Sequence, residues 1–186
     1  MKKVNFRWAI RAVVWSIVLT TVFTLASSAA LEEAGYILAF GVLFIFILIG
    51  ILFDMIGVAV TAADETPFHS MAAHKAPGAK EAINLVKNAD RVSNFCSDVV
   101  GDIAGIISGT TMALLAYRLA WSFSFPHLAV NLAISGVVVG FTIGGKAIGK
   151  SAAIHNSTQV VLLVAQVLYR KNWLIGKLFQ RKKKRP

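Results

Sequence analysis

The amino-acid sequence predicts an all-α integral membrane protein with four transmembrane helices and a C-terminal amphipathic juxtamembrane helix. Hydrophobic residues make up 56% of the 186 residues and charged residues only 15%, and the mean hydropathy is +0.68. A soluble domain of this length needs more polar surface than that. The polar stretches between the apolar runs are also too short to bury a core of their own.

Four apolar runs supply the roughly 20 residues that a helix needs to cross a bilayer. In chain order they cover residues 8–29, 36–60, 95–121 and 128–147. A fifth run, 160–178, is predicted to lie at the membrane surface, because it is interrupted by Gln166, Arg170, Lys171 and Asn172. The predicted organisation is an N-terminal anchor helix (1–30), a three-span membrane domain that includes a cytoplasmic loop (61–94) and the juxtamembrane helix (31–178), and a basic tail (179–186).

The charges orient these spans. The chain has 19 Lys and Arg residues against nine Asp and Glu, a net charge of +10. Cations precede the first span, populate the 61–94 loop and form the C-terminal RKKKRP sequence, whereas the 31–35 link has Glu32 and Glu33 and no cation. Because cytoplasmic segments are rich in Lys and Arg, both termini are predicted to lie in the cytoplasm, with the protein in the plasma membrane. The tail is predicted to bind anionic lipid rather than nucleic acid.

The first span has an alternative interpretation as a cleaved signal peptide, since the sequence LASSAA offers small residues suitable for cleavage. The apolar stretch is longer than a usual signal core, which favours its retention as an anchor. Removal of residues 1–30 would still fit the orientation of the other spans.

Glycines recur every four residues in the third and fourth spans. They are Gly101, Gly105 and Gly109, followed by Gly136, Gly140 and Gly144. Small residues at this spacing form a groove in which another helix backbone can approach closely. The two grooves predict that these helices pack on each other or across a homodimer interface.

Polar residues on one side of the third span indicate an ion site. Asn94, Asp98 and Asp102 recur every four residues and therefore share one helix face. A carboxylate inside a bilayer is costly unless it is paired, hydrated or neutralised. The ends of the second and fourth spans offer partners, so the predicted ion-site residues are Thr61, Asp64, Glu65, Asp98, Asp102, Gly144 and Gly145, with Lys146 as a tethered cation or gate. Hard oxygen ligands suit Mg²⁺ or Na⁺ rather than a soft metal.

The sequence does not predict an enzyme. It has no nucleophile elbow, zincin or dinucleotide-binding motif, and its single cysteine, Cys96, excludes an intramolecular disulfide. A GxxxxGK pattern occurs at 144–150, but it follows an apolar span rather than a strand, so the context of a phosphate-binding loop is missing.

Three segments follow one another in a familiar order. APGAKEAINLVKNADRVSNF lies in the predicted cytoplasmic loop, VVGDIAGI opens the third span, and IGGKAIGK ends the fourth span before the juxtamembrane helix. Over about residues 40–170, this order resembles the transmembrane domain of the cyclin-M/CorC family of magnesium transport proteins, also called domain of unknown function 21. The cystathionine-β-synthase domains that usually follow are not expected, since the sequence ends in RKKKRP.

The resemblance implies a Mg²⁺ site made of a serine, an asparagine and a glutamate from three spans. This chain has Thr61 (or Ala62 in a one-residue shift), Asp102 and Lys146 at those positions, and Gly149 replaces the family's proline. Two of the three ligand positions thus change charge in opposite senses. One hypothesis is that Lys146 fills the place of the cation and pairs with Asp102. The alternative is that Lys146 extends to the cytoplasmic headgroups.

Two functions are predicted on this basis. The first is a polytopic membrane protein, resembling the membrane domain of divalent-cation transport proteins, with an altered ion site. The alternative is a non-transporting membrane scaffold or regulatory subunit that keeps the fold with an internal Asp–Lys pair. A homodimer is expected for either function, from the glycine grooves and from the resemblance.

Overall fold

The structure is a computed structural model that describes residues 35–183, with side chains as far as residue 171, together with residues 10, 13–15, 17, 18, 20–22, 24 and 25. From residue 35 onward the regular structure is entirely helical. Seven α-helices follow in order: α1 (Tyr36–Ala62), α2 (Thr66–Ala73), α3 (Ala79–Lys87), α4 (Ala89–Asn94), α5 (Gly101–Phe123), α6 (His127–His155) and α7 (Ser157–Lys183). A π-helix, Phe95–Val100, joins α4 to α5.

Three helical segments of the described chain are long and apolar enough to cross a membrane. They are α1 with 27 residues, the continuous helix Ala89–Phe123 with 35, and α6 with 29. At about 1.5 Å per residue, each exceeds a hydrocarbon core of about 30 Å. By length and composition, these helices confirm the all-helical class and are those of a membrane protein.

The three segments correspond to the predicted spans 36–60, 95–121 and 128–147. Half of the first predicted span, 8–29, lies outside the described residues, and the residues described between positions 10 and 25 are helical. The first span, and with it the total of four, therefore stays a prediction. The predicted juxtamembrane segment is helical, since α7 begins at Ser157, two residues after α6 ends at His155.

The predicted cytoplasmic loop, 61–94, contains three short helices. Pro67 lies in the first turn of α2, where a missing backbone N–H is tolerated. The α3 sequence AKEAINLVK buries Ala79 and Ala82 and exposes Lys80 and Lys87, which is the pattern of an amphipathic helix. Short helices of this kind are stabilised by packing rather than by length.

The described chain divides into two compact units. The first unit comprises residues up to 53 and residues 96–147, and the second comprises residues 54–95 and those from 148 onward. In the first unit, Ala39, Leu43 and Ile47 form a stripe along α1 that packs with Leu115 of α5. The four-residue spacing of this stripe places its members on one helix face.

The second unit has a core of small residues around one aromatic ring. Phe68 of α2 is fully buried, and it packs with Ala59 and Val60 of α1, Ala82 of α3, Ala153 of α6, and Val161 and Ala165 of α7. Small side chains let the helix backbones approach closely.

Gly78, which precedes α3, makes one of these approaches. Its φ is +87°, and a Cβ there would lie 3.0 Å from the backbone nitrogen of Gln166. Glycine is therefore required at this position both for the backbone angle and for the contact.

Candidate functional site

A polar cleft lies within the membrane-spanning helices of the first unit. Its volume is about 20 Å³, which is enough for a single water-sized guest. The cleft is lined by residues of α1, α5 and α6, namely Phe46, Ile47, Gly50, Gly101, Ala104, Gly105, Ser108, Thr142 and Lys146. The cleft exists because small residues line it. A Cβ on Gly50 of α1, for example, would lie in van der Waals contact with the Cβ of Ala104 of α5, at 3.5 Å.

The two hydroxyl groups in the polar cleft have their protons engaged. Ser108 Oγ donates to the carbonyl oxygen of Gly105 at 3.0 Å, and Thr142 Oγ1 donates to that of Val138 at 2.7 Å. Each oxygen keeps lone pairs that can accept. The hydroxyls are therefore suited to a cation rather than to an anion.

Lys146 supplies the one charged side chain among the residues that line the polar cleft. It is half-buried. The ion pairs within 4 Å among the described residues join Lys150 to Asp54 and His69 to Glu65, and neither includes Lys146. Lys146 thus brings a positive charge to the lining of a cleft whose hydroxyl oxygens have lone pairs that can contact a cation.

The pairing of Lys146 with Asp102, one of the two hypotheses for Lys146, is not seen in this structure. Asp102 lies in the first turn of α5 and is exposed, and it is not among the residues that line the polar cleft. Asp98 lies in the π-helix and is also exposed. Neither carboxylate is among the residues that line the polar cleft, although Gly101 and Gly105, which flank Asp102, do line it.

The predicted glycine grooves are open in the described chain. A Cβ on Gly105, Gly109, Gly136, Gly140 or Gly144 would meet nothing within 4 Å among the described residues. Gly145 is different, because a Cβ there would lie 2.5 Å from Cδ1 of Ile51. Gly145 thus packs tightly against α1, whereas packing of the five open glycines across a dimer stays a prediction.

A buried ion pair occurs in the second unit, between Asp54 of α1 and Lys150 of α6. The distance from Lys150 Nζ to Asp54 Oδ2 is 3.2 Å. The Asp54 side chain is 9% exposed and that of Lys150 is 49% exposed. The contact falls outside hydrogen-bonding geometry, and Oδ2 accepts no hydrogen bond from any described residue. We refer to this contact as the Asp54–Lys150 pair.

The predicted ion-site residues of the second unit, Thr61, Asp64 and Glu65, have local partners. Thr61 is exposed and donates its hydroxyl to the carbonyl of Val58 at 2.9 Å. Glu65 Oε2 lies 3.3 Å from His69 Nε2, one helical turn away. In the described residues there is no group of three or more His, Cys, Asp or Glu side chains placed to hold a metal ion.

Asp64 closes the turn before α2. Its Oδ1 accepts hydrogen bonds from the backbone N–H and the hydroxyl of Thr66, both at 3.1 Å. These bonds, first the backbone bond and then the hydroxyl bond, lower the pKa of Asp64 below its ordinary value. Asp64 therefore has a local structural role at the start of α2.

Aromatic rings surround a larger cleft where α5 turns into α6. This cleft has a volume of about 610 Å³ and is lined by Tyr117, Ala120, Trp121, Ser124, Phe125 and His127. The ring of Tyr117 meets that of His127 edge-on, with centroids 5.8 Å apart. Exposed Trp and Tyr are typical of the membrane–water boundary, so the turn is placed as expected for the end of two spans.

Comparison of the chain with protein-family models, with curated proteins and with solved structures finds no match. Over the part of the chain that it describes, the structure defines an all-helical class with three helices long and apolar enough to span a membrane. The resemblance to the cyclin-M/CorC membrane domain stays a prediction from the sequence motifs.

The Asp54–Lys150 pair was not predicted from the sequence. Two signals were present: Asp54 is an acid inside a long apolar run, and Lys150 is a cation near the end of another. Asp54 lies eight residues before the end of α1, and Lys150 lies five before the end of α6. Under the predicted topology both helices run towards the cytoplasm, so the two charges lie at similar depth.

Proposed function

We propose that this chain is a polytopic membrane protein of the divalent-cation transport type, and that the polar cleft is its ion-handling position. The observation that carries the proposal is the composition of that cleft. Two hydroxyl-bearing side chains and one lysine line the same small space between helices that are long and apolar enough to cross a membrane. Hard oxygen ligands of this kind suit Mg²⁺.

Lys146 acts as a tethered cation in this proposal. Its ammonium group competes with a mobile ion for the hydroxyl oxygens, since two positive charges in one small apolar-walled space repel strongly. Movement of the lysine side chain away from the cleft is then the step that admits an ion. The resemblance supports this role, because it places Lys146 where the family has a glutamate ligand.

The experiment is Mg²⁺ flux into proteoliposomes that contain the full chain and a trapped Mg²⁺-sensitive dye. We expect flux above that of empty liposomes for the wild type. Lys146→Met removes the competing charge and should raise the rate several-fold. Lys146→Glu replaces the competing charge by a ligand and should raise Mg²⁺ affinity further.

Lys171→Met is the matched control, because Lys171 is an exposed lysine outside the polar cleft. This substitution should leave the flux unchanged. Wild-type flux equal to that of empty liposomes, together with no gain in Lys146→Met, contradicts the proposal.

The second candidate is the non-transporting scaffold, and the Asp54–Lys150 pair favours it. A buried carboxylate neutralised by the chain's own ammonium group needs no external ion to hold the helices together. The scaffold predicts no flux for the wild type, Lys146→Met or Lys146→Glu.

Anionic lipid is the proposed partner of the C-terminal region. Because α7 begins two residues after a membrane-spanning helix ends, it starts at the bilayer surface. Leu163 and Val167 are exposed on one face of α7, and Arg170 and Lys171 are exposed one turn further on. An apolar stripe followed by cations fits acyl chains and anionic headgroups respectively.

A further inference from the structure

We propose that Asp54 is a binding site for a monovalent alkali-metal cation, which displaces the ammonium group of Lys150 from the carboxylate. This site belongs to the second unit, and the proposal does not rest on the function proposed for the polar cleft. It rests on the contrast between the buried carboxylate of Asp54 and the half-exposed side chain of Lys150.

The Asp54 carboxylate is held in place, and one of its oxygens lacks a hydrogen bond. The Asp54 side chain is 91% buried, since only 9% of it is exposed, and it lies within the continuous helix α1. Its neighbours Met55 and Ile56 pack against the apolar core of the second unit. Asp54 Oδ2 accepts no hydrogen bond from the described residues, so a cation is what compensates its charge.

The ammonium group of Lys150 can exchange Asp54 for water. Half of the Lys150 side chain is exposed, and an ammonium group on a flexible four-carbon stem is strongly hydrated in water. The 3.2 Å contact with Asp54 lacks hydrogen-bonding geometry. A fixed structural bridge is usually bidentate or reinforced by further hydrogen bonds, and the Asp54–Lys150 pair is neither.

Charge balance selects the class of ion. Lys150 places one positive charge against one carboxylate, and an alkali-metal ion in its place restores the same neutrality. A divalent ion would leave one uncompensated positive charge among apolar side chains, which is costly. Carboxylate oxygen is a hard ligand and suits such an ion.

The experiment measures the midpoint of thermal unfolding of the full chain in lipid nanodiscs. NaCl and KCl are compared with choline chloride at equal ionic strength, because the methyl groups of choline keep its charge from direct contact with a carboxylate oxygen. Lys150→Met leaves the carboxylate open, so its midpoint should rise by about 5 °C or more, with saturation, in one or both alkali salts. The wild type should show a smaller rise, because the ion must displace the ammonium group.

Two controls assign the effect to Asp54. The double variant Asp54→Asn with Lys150→Met should lose the salt dependence, and Lys171→Met, which removes an exposed lysine that has no ion pair among the described residues, should not acquire it. Lys150→Gln, which replaces the ammonium group by a neutral amide, serves as a second variant in case Lys150→Met does not fold.

Three results would overturn the proposal. The first is an equal midpoint for Lys150→Met in all three salts. The second is a salt dependence that persists in the double variant. The third is failure of both Lys150→Met and Lys150→Gln to fold in every salt, which would show that Lys150 is a structural partner that no ion replaces.

Discussion

Lys146 and Lys150 lie one helical turn apart on α6, and their ammonium groups have different surroundings. Lys146 belongs to the first unit, where it lines a cleft with two hydroxyl groups and has no carboxylate within 4 Å among the described residues. Lys150 belongs to the second unit and lies 3.2 Å from a buried carboxylate. The same type of side chain thus lines a cleft without a carboxylate within 4 Å in one place and is the counter-ion of a buried carboxylate in the other.

The packing of the two units differs in the same way. The second unit closes small residues around the fully buried Phe68. The first unit leaves several glycines facing open space in the described chain. Substitutions in the second unit are therefore expected to change stability, whereas those in the first are expected to change ion handling or association.

The largest expected effect is the loss of the central ring of the second unit. Phe68→Ala removes a fully buried side chain and should lower the free energy of unfolding by about 3 kcal/mol or more. Phe44→Ala is the matched control in the first unit, where the ring is 49% exposed. Denaturant unfolding in detergent micelles should show a loss below about 1 kcal/mol for the control. Equal losses would show that the two units do not differ in packing.

The second effect separates the two lysines. Lys150→Met leaves the buried Asp54 carboxylate uncompensated, and in a medium without alkali cations it should cost about 2 kcal/mol of unfolding free energy. This loss of unfolding free energy is smaller than that expected when a fully buried ion pair is broken, because half of the Lys150 side chain is exposed. Lys146→Met should change stability by less than about 0.5 kcal/mol. A larger loss for Lys146→Met would mean that it, too, has a structural partner.

The third effect concerns glycine. Gly78→Ala combines a positive φ with a contact of 3.0 Å to Gln166 and should cost about 1–2 kcal/mol. Gly140→Ala adds a methyl group in open space on a helix and should be neutral or stabilising by up to about 1 kcal/mol. If Gly140→Ala instead weakens self-association in a crosslinking assay, a second copy of the chain packs at that glycine.

The smallest effect is at Asp64. Hydrogen bonds from Thr66 hold the pKa of Asp64 below its ordinary value, so the carboxylate stabilises the folded state above the ordinary aspartate pKa of about 3.9. That contribution is lost as the pH falls through the lowered pKa. Asp64→Asn should therefore be slightly less stable than the wild type at pH 7, with the difference vanishing in strong acid. Thr66→Val, which removes one of the two donors, should lose part of the same difference.

Three of the four predicted spans correspond to long apolar helices, because an apolar run of about 20 residues or more fits few structures other than a membrane-crossing helix. The 61–94 segment was predicted only as a loop, because short amphipathic helices such as α3 depend on packing against α7. Lys146, a predicted site residue, lines the polar cleft, whereas Ser108 and Thr142 were not singled out because they are ordinary residues of apolar helices. Which carboxylate a lysine contacts depends on how each helix is rotated about its axis and how far it is shifted along that axis. A single sequence does not give these quantities, and so the Asp54–Lys150 pair was not predicted.

The central claim is that the ammonium group of Lys146 takes the place of a metal ion in the polar cleft. It is tested most directly by anomalous scattering from crystals of the full chain soaked in Mn²⁺, which stands in for Mg²⁺. The account predicts a peak beside Ser108 and Thr142 in Lys146→Glu, and a weaker peak or none in the wild type. Absence of a peak from the cleft in Lys146→Glu, or an equally strong peak in the wild type, would contradict it.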